Sequence, residues 1–340
     1  MSRRSVVLAA LFVSALAVAP AAAGDGPMPG AMQGGSGLLL STGGPGGGTR
    51  LVAIGDASLS GTTLEEISTK DGTVLRTNDL PGNFGVPAIT YGTGQGEGLS
   101  ADGKTIVLGD VAQMYPRTSS LFLVIDRRSL NIRQTINLKG DFAFDALSPH
   151  AKRLYVIQHV DANDMSKYVV RAYDLVTGRL LPGKIADRTQ KGWVMRGYPM
   201  SRTTSSDGRW VYTLYQPATQ GAFPFVHALD TVRGVAHCVG LPWHGNTNGF
   251  YNLRLSLRNG GRTLAVHWLS GRPWLTVNTR TWRVSADRPA PFGWLWLAGG
   301  LSGAVVLAGL GAVLLGRRRR EEFEQELVGL LGRAKHEVVV

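Results

Sequence analysis

The chain has 340 residues, one cysteine, 36 Lys and Arg against 24 Asp and Glu, and a formal net charge of +12. A single cysteine excludes an internal disulfide, so stability must come from packing, and the length is ample for a large core. No G-x-S-x-G, H-E-x-x-H, phosphate loop or calcium loop occurs, which removes the common motif-bearing enzymes.

The chain opens "MSRRSVVLAALFVSALAVAPAAAGDG": two arginines, an apolar run from Val6 to Val18, then small residues ending at Ala23. This predicts a secretory signal over residues 1–23 with cleavage before Gly24, followed by a flexible segment at 24–36. Arg3-Arg4 loosely fits a twin-arginine signal, but the charged region is short and the core very apolar, as in an ordinary secretory signal.

An internal repeat follows. Five serines close an apolar step just before a turn: Ser41, Ser100, Ser148, Ser205 and Ser256, as in "LSADGKTIVL" and "SSDGRWVYTL". Each has a partner downstream at a second turn, namely Ser68, Asp126, Asp174, Asp230 and Asn278, and six residues beyond each partner an apolar residue returns (Val74, Ile132, Leu180, Ala236, Val284). The first landmark lies 27, 26, 26, 25 and 22 residues before the second, whereas the second lies 32, 22, 31 and 26 residues before the next unit. Length variation therefore concentrates between units. Four short strands in about 50 residues, repeated, is the arrangement of propeller blades, which bury their faces only against neighbouring blades.

The string S-x-D-G-[KR] followed by two apolar residues, with a later apolar-apolar-Asp and a T-G turn, resembles the YVTN/lactonase-like and tryptophan-aspartate-like β-propeller repeats. The resemblance covers about Gly37 to Ser285. It implies an all-β propeller of five or six four-stranded blades over residues 37–286 and specifies fold better than activity. The chain departs from the usual pattern in blade number, commonly seven, and in the first unit, where "TGGPGGG" replaces the Asp-Gly turn.

In such a meander the turns between the first and second and between the third and fourth strands of a blade share one face. Asp102, Asp126, Asp174, Asp207 and Asp230 all fall there and read as scaffold corners. The longer loops and the crossovers, the first of them expected over residues 77–98, share the opposite face, where binding residues accumulate. The first strand of each blade lines the axis, and three residues before its serine stand Leu38, Glu97, Asp145, Arg202 and Leu253. Glu97, Asp145 and Arg202 then converge from three blades, either as a polar site at the channel mouth or as ion pairs between blades.

Charge is uneven. Residues 24–160 hold 11 Lys and Arg against 12 Asp and Glu, and residues 161–291 hold 17 against 7. Lys184, Arg188, Lys191 and Arg196 crowd into one crossover with Trp193, a patch suited to anionic wall polymers, phospholipid headgroups or acidic proteins outside a cell. Nucleic acid is not expected there, and the alternative is a set of solvating side chains. In "AHCVGLPWHGNTNG", His237, Cys238 and His244 lack zinc-ligand spacing and a fourth donor, and Cys238 lacks an orienting acid. Trp243, His244, Asn246 and Asn248 better suit a loop that contacts sugar or peptide, or a plain turn. No cofactor and no metal are expected.

After a linker at 287–291, residues 292–316 contain no charge, are long enough to span a bilayer, carry Trp294 and Trp296 at one end and run into Arg317–Arg320. They read as one membrane helix with a cytoplasmic tail at 317–340, amphipathic through Phe323, Leu327, Leu330 and Leu331. The sequence as a whole reads as a single-pass, cell-surface β-propeller that binds an extracytoplasmic protein or an anionic polymer through its long-loop face. The alternative is a lactonase-like hydrolase using Glu97 and Asp145.

Overall fold

Alternating apolar and polar residues between turn formers fold each repeat unit into a four-stranded antiparallel meander. The computed structural model describes residues 39–41, 48–55, 60–90, 96–111, 115–187, 189, 194–218, 222–243 and 247–287. The expected signal peptide, membrane helix and tail lie outside them, and no helix among the described residues is long and apolar enough to cross a membrane. The chain divides into two units, residues 1–285 and 286–340; the first holds the sheets.

Sheet one comprises β1 (Leu39–Ser41), β2 (Thr49–Gly55), β3 (Gly61–Ser68) and β4 (Val74–Pro81), and sheet two β5 (Phe84–Gly85), β6 (Thr105–Asp110), β7 (Ser119–Asp126) and β8 (Ile132–Lys139). Sheet three holds β9 (Phe142–Leu147), β10 (Arg153–His159), β11 (Lys167–Asp174) and β12 (Arg179–Leu180), with β13 (Met195–Arg196) on the same edge as β12. Sheet four contains β14 (Tyr198–Thr204), β15 (Trp210–Gln216), β16 (Phe225–Asp230) and β17 (Val235–Gly240). Sheet five is built from β18 (Leu253–Arg258), β19 (Thr263–Trp268), β20 (Pro273–Asn278) and β21 (Val284–Ala286). The first strand β9 is buried along its whole length, whereas a fourth strand such as β8 alternates.

The landmark residues work as turn chemistry. The Ser205 hydroxyl donates to Asp207 Oδ1 (2.6 Å) and accepts from the Trp210 N–H (2.8 Å), while Asp207 Oδ1 accepts from the Arg209 N–H (3.1 Å). Ser100, Asp102, Lys104 and Thr105 repeat this arrangement, and Ser148 accepts from the Arg153 N–H at 2.9 Å. At the second turn, Oδ1 of Asp126, Asp174, Asp230 and Asn278 each accepts at least one backbone N–H two or three residues on. Side chains that satisfy a turn's orphan donors in this way fix where each strand ends.

Two expectations are corrected. Ser256 does not close its turn: it pairs with Ala265 inside the ladder, and Arg258 pairs with Thr263 at the corner, because Asn259, Gly260 and Gly261 supply the left-handed turn two residues later. The residue matching Glu97, Asp145 and Arg202 is therefore Leu255, not Leu253. The stretch from Thr77 is also not all crossover. Thr77–Pro81 completes β4, Phe84–Gly85 already pairs with β6 and Leu99 bridges to Ile106, so the first strand of sheet two is split. The strand resumes at Gly98, whose φ of +99° and 2.4 Å approach of a would-be Cβ to the Val107 carbonyl admit only glycine.

Apolar clusters join sheets one and two, two and three, three and four, and four and five. Sheets two and four, which are not consecutive, also meet: a Cβ on Gly208 would lie 2.4 Å from that of Ala101, and Arg202 reaches both Asp145 and Glu97. Consecutive meanders whose first strands and first turns converge are packed radially, as propeller blades. Replacing Ser205 with Ala is expected to cost about 1 kcal/mol, read as a shift in urea midpoint. Ser256→Ala, within a strand, should cost under about 0.5 kcal/mol; equal losses would contradict the corrected register.

Candidate functional site

Asp145 lies at a bulge in β9, where the ladder passes from the Tyr155–Ala146 pair to the Val156–Phe144 pair, so its side chain is released from the regular alternation towards sheet four. There Arg202 Nη2 donates to Asp145 Oδ1 at 3.1 Å, and Arg202 Nε stands 4.0 Å from Glu97 Oε1. The Arg202 and Asp145 side chains are each 3 % exposed and that of Glu97 28 %. Burial pushes the Glu97 carboxyl upward against the pull of Arg202, and Asp145 adds to the rise. The three residues expected to converge do so, as an ion-pair cluster between blades. It is incompletely satisfied: Asp145 Oδ2 and Arg202 Nε and Nη1 have no hydrogen-bond partner among the described residues.

Polar groups continue outward between sheets three and four. Tyr168 stacks on Tyr215 with ring centroids 5.7 Å apart, and Tyr215 on Phe225 at 5.2 Å. His227 is fully buried, with Nδ1 3.6 Å from Cys238 Sγ. Burial lowers the His227 imidazole to about 4 and raises the Cys238 thiol to about 12. The pair is thus a neutral imidazole beside a thiol, the wrong protonation states for a nucleophile. His237 and Cys238, adjacent in β17, face opposite sides of the sheet, as strand alternation requires. His237 packs instead on Trp282 with centroids 4.7 Å apart. No cluster of metal-ligating side chains occurs among the described residues.

The basic crossover is only partly described. Lys184 is exposed, Arg196 is exposed but donates to Asp164 at 2.7 Å, and Arg188, Lys191 and Trp193 lie outside the described residues. Lys167 is likewise engaged by Asp161 at 2.6 Å, so acids of the neighbouring loop compensate part of the patch. His244 and Asn246 lie outside the described residues; Asn248 falls in a 3-10 helix, Thr247–Asn252. Trp243 is half-buried against Phe250, Trp274 and Trp268, with centroids at 4.3, 5.3 and 6.1 Å. Its position is set by packing.

Two features of the long-loop face carry no sequence signal. Arg117, 5 % exposed, places Nε on Asp141 Oδ1 and Nη1 on Asp110 Oδ1, both at 3.0 Å, and reaches the Phe142 carbonyl. Burial would raise the Asp141 carboxyl, but His159 and Arg117 outweigh it and hold the group below its usual range. This buried ion cluster ties a loop of sheet two to the crossover into sheet three. Phe223, Tyr251 and Leu269 are 57, 46 and 62 % exposed at loop positions of sheets four and five; Tyr251 follows Phe250 and Leu269 follows Trp268, both members of the Trp243 cluster.

No protein-family model and no curated protein sequence matches the chain. Among solved structures it is similar to hydrazine synthase of Kuenenia stuttgartiensis (14 % identity, 76 % of this chain and 79 % of that one, TM-score 0.37). It is also similar to the Dos1 propeller (9 %, 72 % and 56 %, 0.40) and to an oligogalacturonate lyase in complex with manganese (9 %, 71 % and 65 %, 0.41). The chain spans less than two thirds of the latter two. At such identities and scores nothing about activity follows, and the fold rests on the sheet topology.

Arg202→Met is expected to destabilise the protein by about 3–5 kcal/mol by stranding Asp145, and adding Asp145→Asn should recover most of the loss. Chemical denaturation of the single and double variants measures both. His227 is neutral in the fold, where burial depresses its pKa from the usual 6.5 of a histidine to about 4. The unfolded chain therefore takes up its proton first on acidification, so stability falls as pH drops from about 6.5 to about 4, by about 3 kcal/mol in all. His227→Gln should flatten that slope.

Proposed function

We propose that this chain is an exported, membrane-tethered β-propeller whose long-loop face binds a protein partner outside the cytoplasm, and that it is not a hydrolase. The observation carrying this reading is the set of exposed Phe223, Tyr251 and Leu269 side chains on loops of sheets four and five, two of them next in the chain to members of a packed tryptophan cluster. Large apolar groups held on rigid sheets, with polar loops around them, have the anatomy of a protein-binding hot spot. Of the two ligand classes expected on this face, a protein is favoured over an anionic polymer because Arg196 and Lys167 are already paired with Asp164 and Asp161.

Against the lactonase-like alternative stands Arg202, whose guanidinium occupies the space between Glu97 and Asp145 where a catalytic cation would sit. Export and tethering rest on residues 1–23 and 292–316 of the sequence.

The test uses the full chain in detergent as bait against the extracytoplasmic proteins of its host. Retention of a partner that drops at least tenfold on combining Phe223→Ser with Leu269→Ser supports the reading. Unchanged retention, or ester or lactone turnover abolished by Glu97→Gln, overturns it.

A further inference from the structure

On the short-loop face, opposite the loops discussed above, an open cleft of about 1000 Å³ lies between sheets four and five. This is at the upper end of the roughly 300–1,000 Å³ usual for small-molecule sites. Its walls come from the four short turns of the two sheets, the positions assigned to scaffold corners. Arg233, Arg262 and Arg280 line it, are exposed, and have no ion-pair partner among the described residues.

At two other interfaces on this face, arginines are engaged by neighbouring groups. Between sheets one and two, Arg76 and Arg127 both pair with Glu66, and Arg76 also reaches the Arg128 carbonyl. Between sheets three and four, Arg153 donates to the Val232 carbonyl at 3.2 Å and the Tyr155 hydroxyl to that of Thr231 at 2.7 Å. The two acids of the cleft do not neutralise it. Asp230 is fully buried and held by Arg209 at 2.7 Å, while Asp207 is the acceptor of its own turn.

Beside the arginines stands an aromatic platform. Trp282 lies edge-on to Trp210 with centroids 5.4 Å apart, and over His237 at 4.7 Å and 31°. Trp282 holds a φ of +59° at the turn position filled by Gly72, Gly178 and Gly234 elsewhere. Leu130 shares this left-handed conformation, but it is 1 % exposed and packs in the core. Trp282 remains half-exposed at the cleft, so a strained backbone position holds an indole at an open surface.

Indole faces suit the apolar face of a pyranose ring, guanidinium groups suit carboxylate and phosphate, and the hydroxyls of Thr204, Ser206 and Thr279 on the walls suit a hydrated ligand. We propose that this cleft is a binding site for an anionic carbohydrate, taken as a segment of a longer chain whose sugar rings carry carboxylate or phosphate groups. The ligand stacks on Trp282 and Trp210 and sets its charges on Arg262, Arg280 and Arg233.

Calorimetry on the full chain in neutral detergent tests this with three probes of equal length: dextran oligosaccharides, their carboxymethylated form and their phosphorylated form. At least one anionic form should bind at least tenfold more tightly than dextran, and which one does identifies the source of the charge. Arg262→Gln with Arg280→Gln should weaken that binding at least tenfold. Trp282→Gly should do the same with the sheet signal in circular dichroism retained, because glycine is native to this turn position in three other sheets. Absence of binding by both anionic forms, equal binding of dextran, or wild-type affinity in both variants would overturn the assignment. Since the cleft is on the face away from Phe223 and Leu269, loss of the protein partner leaves these outcomes untouched.

Discussion

Each sheet of this protein can hide its two faces only against the sheets beside it, and the geometry follows from that constraint. A four-stranded meander is too small to bury itself. The chain therefore gathers the apolar residues of its strands into clusters that span consecutive sheets. Radial packing brings first strands together, so the polar residues they carry must answer one another across the axis. Arg202 does this for Asp145 and Glu97, although its hydrogen bonding is incomplete among the described residues.

The fold was largely legible because its signals are local. A serine that accepts the N–H five residues on, and an aspartate that accepts the next N–H groups of its own turn, leave a fixed spacing in the sequence. Where the turn is built differently the spacing misleads: the Asn-Gly-Gly corner of sheet five moved the closing position from Ser256 to Arg258. The convergence of Glu97, Asp145 and Arg202 was readable for the same reason, since three residues before a correctly placed turn is the same height in every first strand.

The rest was hidden because it depends on apposition. Arg117 and Asp141 are 24 residues apart and meet only because a loop folds over a crossover. The cleft between sheets four and five was missed because variable loops drew attention to the other face, while the turns there looked like scaffold alone. A turn can do both tasks: Asp230 fixes the corner with its side chain, and Arg233, three residues later, faces the opening. Cys238 and His237 show the converse, being neighbours in sequence that alternation sends to different environments.

The outer edge of sheet three is assembled in pieces. β12 pairs with Tyr173 and Asp174, Ile185 bridges to Val170, and β13 pairs with Lys167 and Tyr168, all along β11. The chain between Ile185 and Met195 is thus anchored at both ends by the same strand. Closing a longer loop over a fixed clamp costs only about 0.6 kcal/mol per doubling of its length. Between these two anchors evolution, or an experimenter inserting a tag, can lengthen the chain while the hydrogen-bond register of the blade stays in place.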